Sequence, residues 1–170
     1  MTIWCVIPVH NNKDTVKAVA TECRGYLPHV AVVDDGSTDA DIPALFADTD
    51  IPVLRHGKNR GKGCAILTGL EFVKARAGRF MITLDADGQH YPKDIEKFIP
   101  LLQKDESAII IGSRRFDSEH IPGSSRFGRK FANFWLYAET GVLIDDCQSG
   151  FRAYPVQALS QIKLYGAYYD

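Results

Sequence analysis

The chain has 170 residues, 45% of them hydrophobic, which suits one domain with a sizeable core. Its 20 basic and 21 acidic residues leave a formal net charge of -1, which argues against a nucleic-acid partner held by bulk electrostatics. There is no basic leader with a small-residue cleavage site and no apolar run of about 18 or more residues, so neither a signal peptide nor a bilayer span is expected.

In chain order, the apolar run Ile3 to Val9 predicts a strand, followed by a helix from about Thr15 to Arg24 with Asp14 as N-cap and Gly25 as stop. His29 to Asp34 predicts a second strand, a short helix opens near Pro43, and Ile51 to His56 supplies a third strand. From Gly63 to Ala77 the apolar residues Ile66, Leu67, Leu70, Phe72, Val73 and Ala77 recur near helical period, with Gly78 as terminator. Phe80 to Leu84 is the fourth strand, Pro92 to Lys104 is helical with Asp94 and Glu96 in its first turn, and Ala108 to Gly112 is the fifth strand. This alternation predicts an α/β fold, a mostly parallel central sheet with helices on both faces, in a single domain over residues 1–170 without internal repeats. The four cysteines, Cys5, Cys23, Cys64 and Cys147, lack metal-ligand spacing and read as reduced thiols, so a cytoplasmic location is expected.

Ligands of such sheets bind beyond the carboxyl ends of the strands, and the polar clusters of this chain fall there. Asp85 and Asp87 follow the fourth strand two residues apart; on an extended chain they share one side and converge where a divalent cation would relieve their repulsion. Oxygen ligands of this kind favour Mg²⁺ or Mn²⁺, usually shared with substrate phosphates, whereas the alternative is a solvated pair with one carboxylate capping the next helix. Asp34-Asp35-Gly36-Ser37 places acids at the end of the second strand, where a carboxylate accepts hydrogen bonds from a ribose or base, forms an Asx turn, or one Asp serves each purpose. Arg55-His56-Gly57-Lys58-Asn59-Arg60-Gly61-Lys62-Gly63 lacks the spacing of a phosphate loop and of a dinucleotide fingerprint. It is either a basic turn into a helix N-terminus, with Lys62 drawing a nucleotide anion, or a solvated basic loop. Beyond Gly112 the arginines Arg114, Arg126 and Arg129, set among small residues, suit phosphate oxygens, with solvated surface as the alternative for some of them. Asp145-Asp146-Cys147-Gln148-Ser149-Gly150-Phe151-Arg152 is read either as part of the site or as a turn stitched by an Asp–Arg pair.

Together, Ile7-Pro8-Val9-His10-Asn11-Asn12, Val33-Asp34-Asp35-Gly36-Ser37, Arg60-Gly61-Lys62-Gly63, Asp85-Ala86-Asp87-Gly88-Gln89-His90, Gly112-Ser113-Arg114 and Asp146-Cys147-Gln148-Ser149-Gly150-Phe151-Arg152 resemble family-2 glycosyltransferases. The closest resemblance within that family is to the branch of dolichol-phosphate mannose synthases and bacterial polyprenyl-phosphate glycosyltransferases. It implies a GT-A fold, a nucleotide-sugar donor, a divalent metal (Mg²⁺ or Mn²⁺), inversion at the anomeric carbon, and a lipid-phosphate or carbohydrate acceptor reached by peripheral membrane association. Carried over by position, Pro8, His10 and Asn12 would border the nucleotide, and Val33 and Asp35 would contact base or ribose. Asp85, Ala86, Asp87 and Gln89 would hold metal and diphosphate; Arg114, Arg126 or Arg129, and Arg152 would meet donor or acceptor phosphates. His10 and Asn12 stand where the family commonly has Tyr and Glu, which leaves UDP and GDP both open. Relatives usually continue beyond the position of Tyr168-Tyr169-Asp170, so a domain truncated at its C-terminal end is expected.

A lipid-phosphate acceptor is already anionic, whereas a hydroxyl acceptor needs a base, for which Asp146 is the candidate, expected on the far side of the sheet edge from the acid pair. The competing readings are a nucleotidyltransferase and a catalytically silent nucleotide-binding module. The first should carry a Gly-rich signature after strand one, where His10-Asn11-Asn12-Lys13 stands instead. Transfer or hydrolysis of a sugar nucleotide separates the second.

Overall fold

Successive side chains of β1 (Ile3–Val9) point to opposite faces of the sheet, and both faces are apolar. Ile3, Cys5, Ile7 and Val9 enter one core, while Trp4 and Val6 enter a second. β2 (Val30–Asp34) and β4 (Phe80–Thr83) divide in the same way and, like β1, are buried along their whole length. Such two-sided burial belongs to interior strands covered by helices on each face. The structure, a computed structural model, describes residues 1–113, 141–144, 146–147 and 149–161.

α1 (Lys13–Arg24) closes the first core with Val16, Val19, Ala20 and Cys23, beside Ile95, Phe98 and Leu102 of α4 (Ile95–Lys104). α3 (Lys62–Lys74) closes the second with Ala65, Leu70 and Val73, joined by Val156 and Leu159 of α5 (Val156–Leu159). Each fully buried aliphatic or aromatic side chain contributes about 1.5–3 kcal/mol, an upper estimate because unfolded chains already bury some surface. A short α2 (Ile42–Leu45) carries Pro43 in its first turn, as the sequence suggests.

Among the described residues the sheet has six strands in the order β3-β2-β1-β4-β6-β5, with β3 spanning Val53–Arg55, β5 Ile110–Ile111 and β6 Arg152–Pro155. β1 to β4 pair in parallel, with Ile7 opposite Val32 and Cys5 opposite Ile82. β6 is antiparallel to both of its neighbours, setting Ala153 between Ile82 and Ile110. The mostly parallel sheet is therefore as expected, but β6 was not among the predicted strands. It is four residues long, opens on Arg152 and ends on Pro155, a residue that sequence rules confine to strand ends and edges.

Other boundaries shift. Asn12, not Asp14, occupies the N-cap position of α1, and Asp14 lies inside the first turn. The predicted helix from Pro92 opens as a 3₁₀ turn, Pro92–Asp94, before α4. β3 and β5 are shorter than their apolar runs. Among the described residues no helix is long and apolar enough to cross a membrane. Because β1, β2 and β4 are parallel, the polar segments after Val9, Asp34 and Thr83 emerge at one end of the sheet.

Candidate active site

At that end lies a cleft of about 530 Å³ lined by Pro8, Val9, His10, Asn12, Asp35, Asn59, Gly61, Lys62, Ala65, Asp85, Ala86 and Asp87. Thus Pro8, His10, Asn12, Asp35, Lys62, Asp85, Ala86 and Asp87, chosen from the sequence, meet on one surface; Val9, Asn59, Gly61 and Ala65 were not chosen. Val33 does not reach it, because its place in β2 points the side chain into the second core. Gln89 is exposed outside the lining and donates its backbone N–H to Asp87 Oδ1 at 2.9 Å.

The two acids after β2 divide their tasks. Asp34 is wholly buried, accepts the Ser37 N–H at 2.8 Å and pairs with Arg55 Nε at 3.3 Å, so it forms the turn. Asp35 faces the cleft, and its Oδ1 accepts from His56 Nδ1 at 2.6 Å and from the Arg60 N–H at 2.9 Å. The carbonyl of Asp35 accepts from His10 Nδ1 at 3.0 Å, which fixes that imidazole against the cleft wall. Gly36, at φ +69, lies so close to the backbone of Lys58 and Asn59 that a Cβ there would overlap it. This close approach brings the Arg60 amide to Asp35.

His56 was missed as a site residue. It stands 21 residues from Asp35 in the chain, and only the parallel register that sets Asp34 beside Arg55 makes the two neighbours.

The acid pair arises differently from the extended-chain expectation. β4 ends at Thr83, and residues 86–88 form a turn in which Gly88 takes φ +75. Chain reversal, not strand alternation, therefore carries Asp85 and Asp87 to the same cleft. The Thr15 hydroxyl anchors the turn by donating to the Ala86 carbonyl at 2.5 Å. Lys62 at the start of α3 forms an ion pair with Asp85, placing a cation directly on the carboxylate. The donors fit a hard divalent cation in type, since both are carboxylate oxygens facing the cleft. Among the described residues no cluster of three or more His, Cys, Asp or Glu could hold a metal, so water or phosphate oxygens would complete its shell.

The turn before β6 lies against this acid pair rather than across the sheet edge from it. The Thr83 hydroxyl donates to the Gly150 carbonyl at 2.8 Å, and a Cβ on Gly150 would overlap the Asp85 carboxylate. Asp146 is 1% exposed, and its carbonyl accepts the Ser149 N–H at 3.2 Å. Arg152 donates to the carbonyls of Ser149, at 2.7 Å, and Cys147, so its guanidinium stitches the turn. Phe151 packs on Phe98, with ring centroids 4.4 Å apart, and seals this edge. Arg114, Arg126, Arg129, Asp145 and Gln148 lie outside the described residues.

The sequence profile described as Glycosyl transferase family 2 matches residues 4–163. An uncharacterized protein of Methanocaldococcus jannaschii is 35% identical over 167 residues, covering 94% of this chain and 67% of its own. The UDP-N-acetylglucosamine–dolichyl-phosphate N-acetylglucosaminyltransferase of Methanococcus voltae is 27% identical over 92% of this chain and 70% of its own. The polyprenol monophosphomannose synthase of Mycolicibacterium smegmatis is 28% identical over 94% and 63%. Among solved structures, glucosyl-3-phosphoglycerate synthase from Mycobacterium tuberculosis, in complex with Mn²⁺ and UDP-glucose, aligns with a TM-score of 0.72 at 20% identity, over 95% of this chain and 58% of that one. The fold is thus of the GT-A type, and the chain spans about two thirds of the length of these relatives.

Proposed function

Because the chain belongs to the family-2 glycosyltransferases, we propose that it moves a sugar from a UDP- or GDP-linked donor to a polyprenyl phosphate, with inversion and with Mg²⁺ or Mn²⁺. The observation that carries this reading is the meeting of Asp35 with Asp85 and Asp87 across one cleft at the carboxyl ends of parallel strands. One acid suits the hydrogen-bond donors of a nucleoside; the other two suit a metal-bound diphosphate. The printed names of the Methanococcus voltae and Mycolicibacterium smegmatis relatives support a polyprenyl-phosphate acceptor.

In this reading His10 and Asp35 hold the nucleoside, while Lys62 and the Asp85-Ala86-Asp87 turn receive the diphosphate. Asp85 and Asp87 would hold the divalent ion, which would supply neutralisation of charge on the leaving diphosphate. Lys62, released from Asp85, adds its ammonium to the same oxygens. The acceptor attacks from the face opposite the leaving group, and Arg114, Arg126 and Arg129 orient its phosphate. Such an acceptor arrives ionised, so Asp146 acts as a base only towards a hydroxyl. Acceptor capture at the cytoplasmic face of a membrane by peripheral association completes the proposal.

The test is a thermal-shift panel of UDP and GDP, with and without Mn²⁺, on wild type and Asp87→Ala. A nucleotide at 100 times its dissociation constant should stabilise by roughly 2.7 kcal/mol. Asp87→Ala should lose the manganese-dependent part. Failure of every nucleotide to stabilise the wild type sinks the reading, and an unchanged manganese effect in the variant moves the metal elsewhere.

A further inference from the structure

One buried histidine adjoins the cleft without lining it, and none of the roles above uses it. His56 follows β3 and is 7% exposed; Asp35, beside it, is 3% exposed. A carboxylate at this point can only accept, so the 2.6 Å contact from Nδ1 to Asp35 Oδ1 places a proton on Nδ1. The opposite ring nitrogen, Nε2, lies 2.8 Å from the Thr68 hydroxyl on α3. The imidazole is therefore pinned at both ends, to the loop after β2 and to a helix. Oδ1 of Asp35 receives a second donor, the Arg60 N–H at 2.9 Å. Among the described residues Oδ2 takes no protein donor, yet it is not one of the buried polar side-chain atoms without a partner, and the residue lines the cleft.

We propose that His56 is a positioning residue: by saturating one oxygen of Asp35 and locking its rotamer, it presents the other oxygen as a fixed acceptor for the nucleoside of the donor. The matching ligand groups are hydrogen-bond donors, either ribose hydroxyls or a ring N–H of the base, and not the diphosphate. This rests on the nucleotide-sugar reading and adds to it a division of labour. Asp35 with His56 reads the nucleoside, while Lys62 and the acid turn read the phosphates. His56 touches no substrate, and its whole effect runs through Asp35.

Calorimetric titration of UDP, GDP and inorganic pyrophosphate in the presence of Mn²⁺ tests this in wild type, His56→Ala, His56→Asn, Asp35→Asn and the His56→Ala/Asp35→Asn pair. His56→Ala should weaken whichever nucleotide binds by roughly ten- to a hundredfold, the range found when groups orienting metal ligands are removed. Pyrophosphate, which does not reach Asp35, should bind as to wild type. His56→Asn returns an amide donor near the Nδ1 position and should recover most of the nucleotide affinity. In the Asp35→Asn background the histidine change should add little, a strongly non-additive cycle. Additive losses, an equal loss of pyrophosphate, or no recovery in His56→Asn would each overturn the proposal in favour of a purely structural histidine. If pyrophosphate binds wild type but neither UDP nor GDP does, the nucleotide reading itself fails and this inference goes with it.

Discussion

Asp146 poses the sharpest question at the scale of single residues, because a carboxylate that is 1% exposed on a turn pressed against Asp85 must serve either the reaction or the turn. As a base towards a hydroxyl it would contribute on the order of 10²- to 10⁴-fold to the rate. Asp146→Asn keeps its shape, so a catalytic role should appear as a fall of that size in turnover with nucleotide affinity and melting temperature nearly constant. A turn-forming role should instead lower the melting temperature and leave turnover intact. Cys5 raises a different matter. Its hydrogen bond with Cys23 and complete burial push the thiol well above the ordinary value of 9.0. The folded thiol holds its proton longer than the unfolded one, so the stability it lends is complete below about pH 9 and is lost as the pH climbs from there towards the folded value. Urea midpoints between pH 8 and 11 should therefore fall more steeply for wild type than for Cys5→Ala. Parallel curves would deny the thiol any part in alkaline unfolding.

At the scale of elements, the loop after β2 and the loop before α3 work as one unit because Gly36 lets their backbones touch. Gly36→Ala combines overlap with Lys58 and Asn59 and a left-handed φ of +69. It should cost about 1–3 kcal/mol of stability from backbone strain alone and weaken nucleotide binding by displacing the Arg60 amide from Asp35, which melting and titration curves would register together. Full nucleotide affinity in the variant would mean that the two loops act independently. β1, β2 and β4 were legible in the sequence because residues buried on both faces leave unbroken apolar runs, as Cys5-Val6-Ile7 and Val30-Ala31-Val32-Val33 do. The residue types of the site were legible too, since each polar cluster follows a strand. Its geometry was not. Asp85 and Asp87 reach one cleft through the turn that follows β4, and His56 reaches Asp35 only through strand register. β6 escaped notice because four residues bounded by Arg152 and Pro155 carry too little periodicity, and their partner Thr83 is remote in sequence. The side chain of Val33 lies in the second core, because a motif fixes position along a strand but not which face the side chain takes.

For the molecule as a whole, order in the sheet sets a gradient of protection. β1, paired on both sides and buried throughout, should exchange its amide hydrogens only near the global unfolding limit, while β3 and the two-residue β5, outermost among the described strands, should exchange sooner. Hydrogen exchange followed by mass spectrometry would show it; uniform exchange across the sheet would mean that edges and centre open together. The pairing of β4 with β6 also bears on how the molecule is made. The Thr83 hydroxyl and the Gly150 carbonyl that it binds are 67 residues apart. On a ribosome adding about 5–20 residues per second, that interval is roughly 3 to 13 s. Throughout it, β1, β2 and α3 can already pack, yet Phe80, Met81 and Ile82 offer an open strand edge and Asp85 has no roof. The nascent protein thus acquires the Asp35 wall of the cleft early and the cover over Asp85 late, and in between it presents a sticky edge of the kind that chaperones exist to shield.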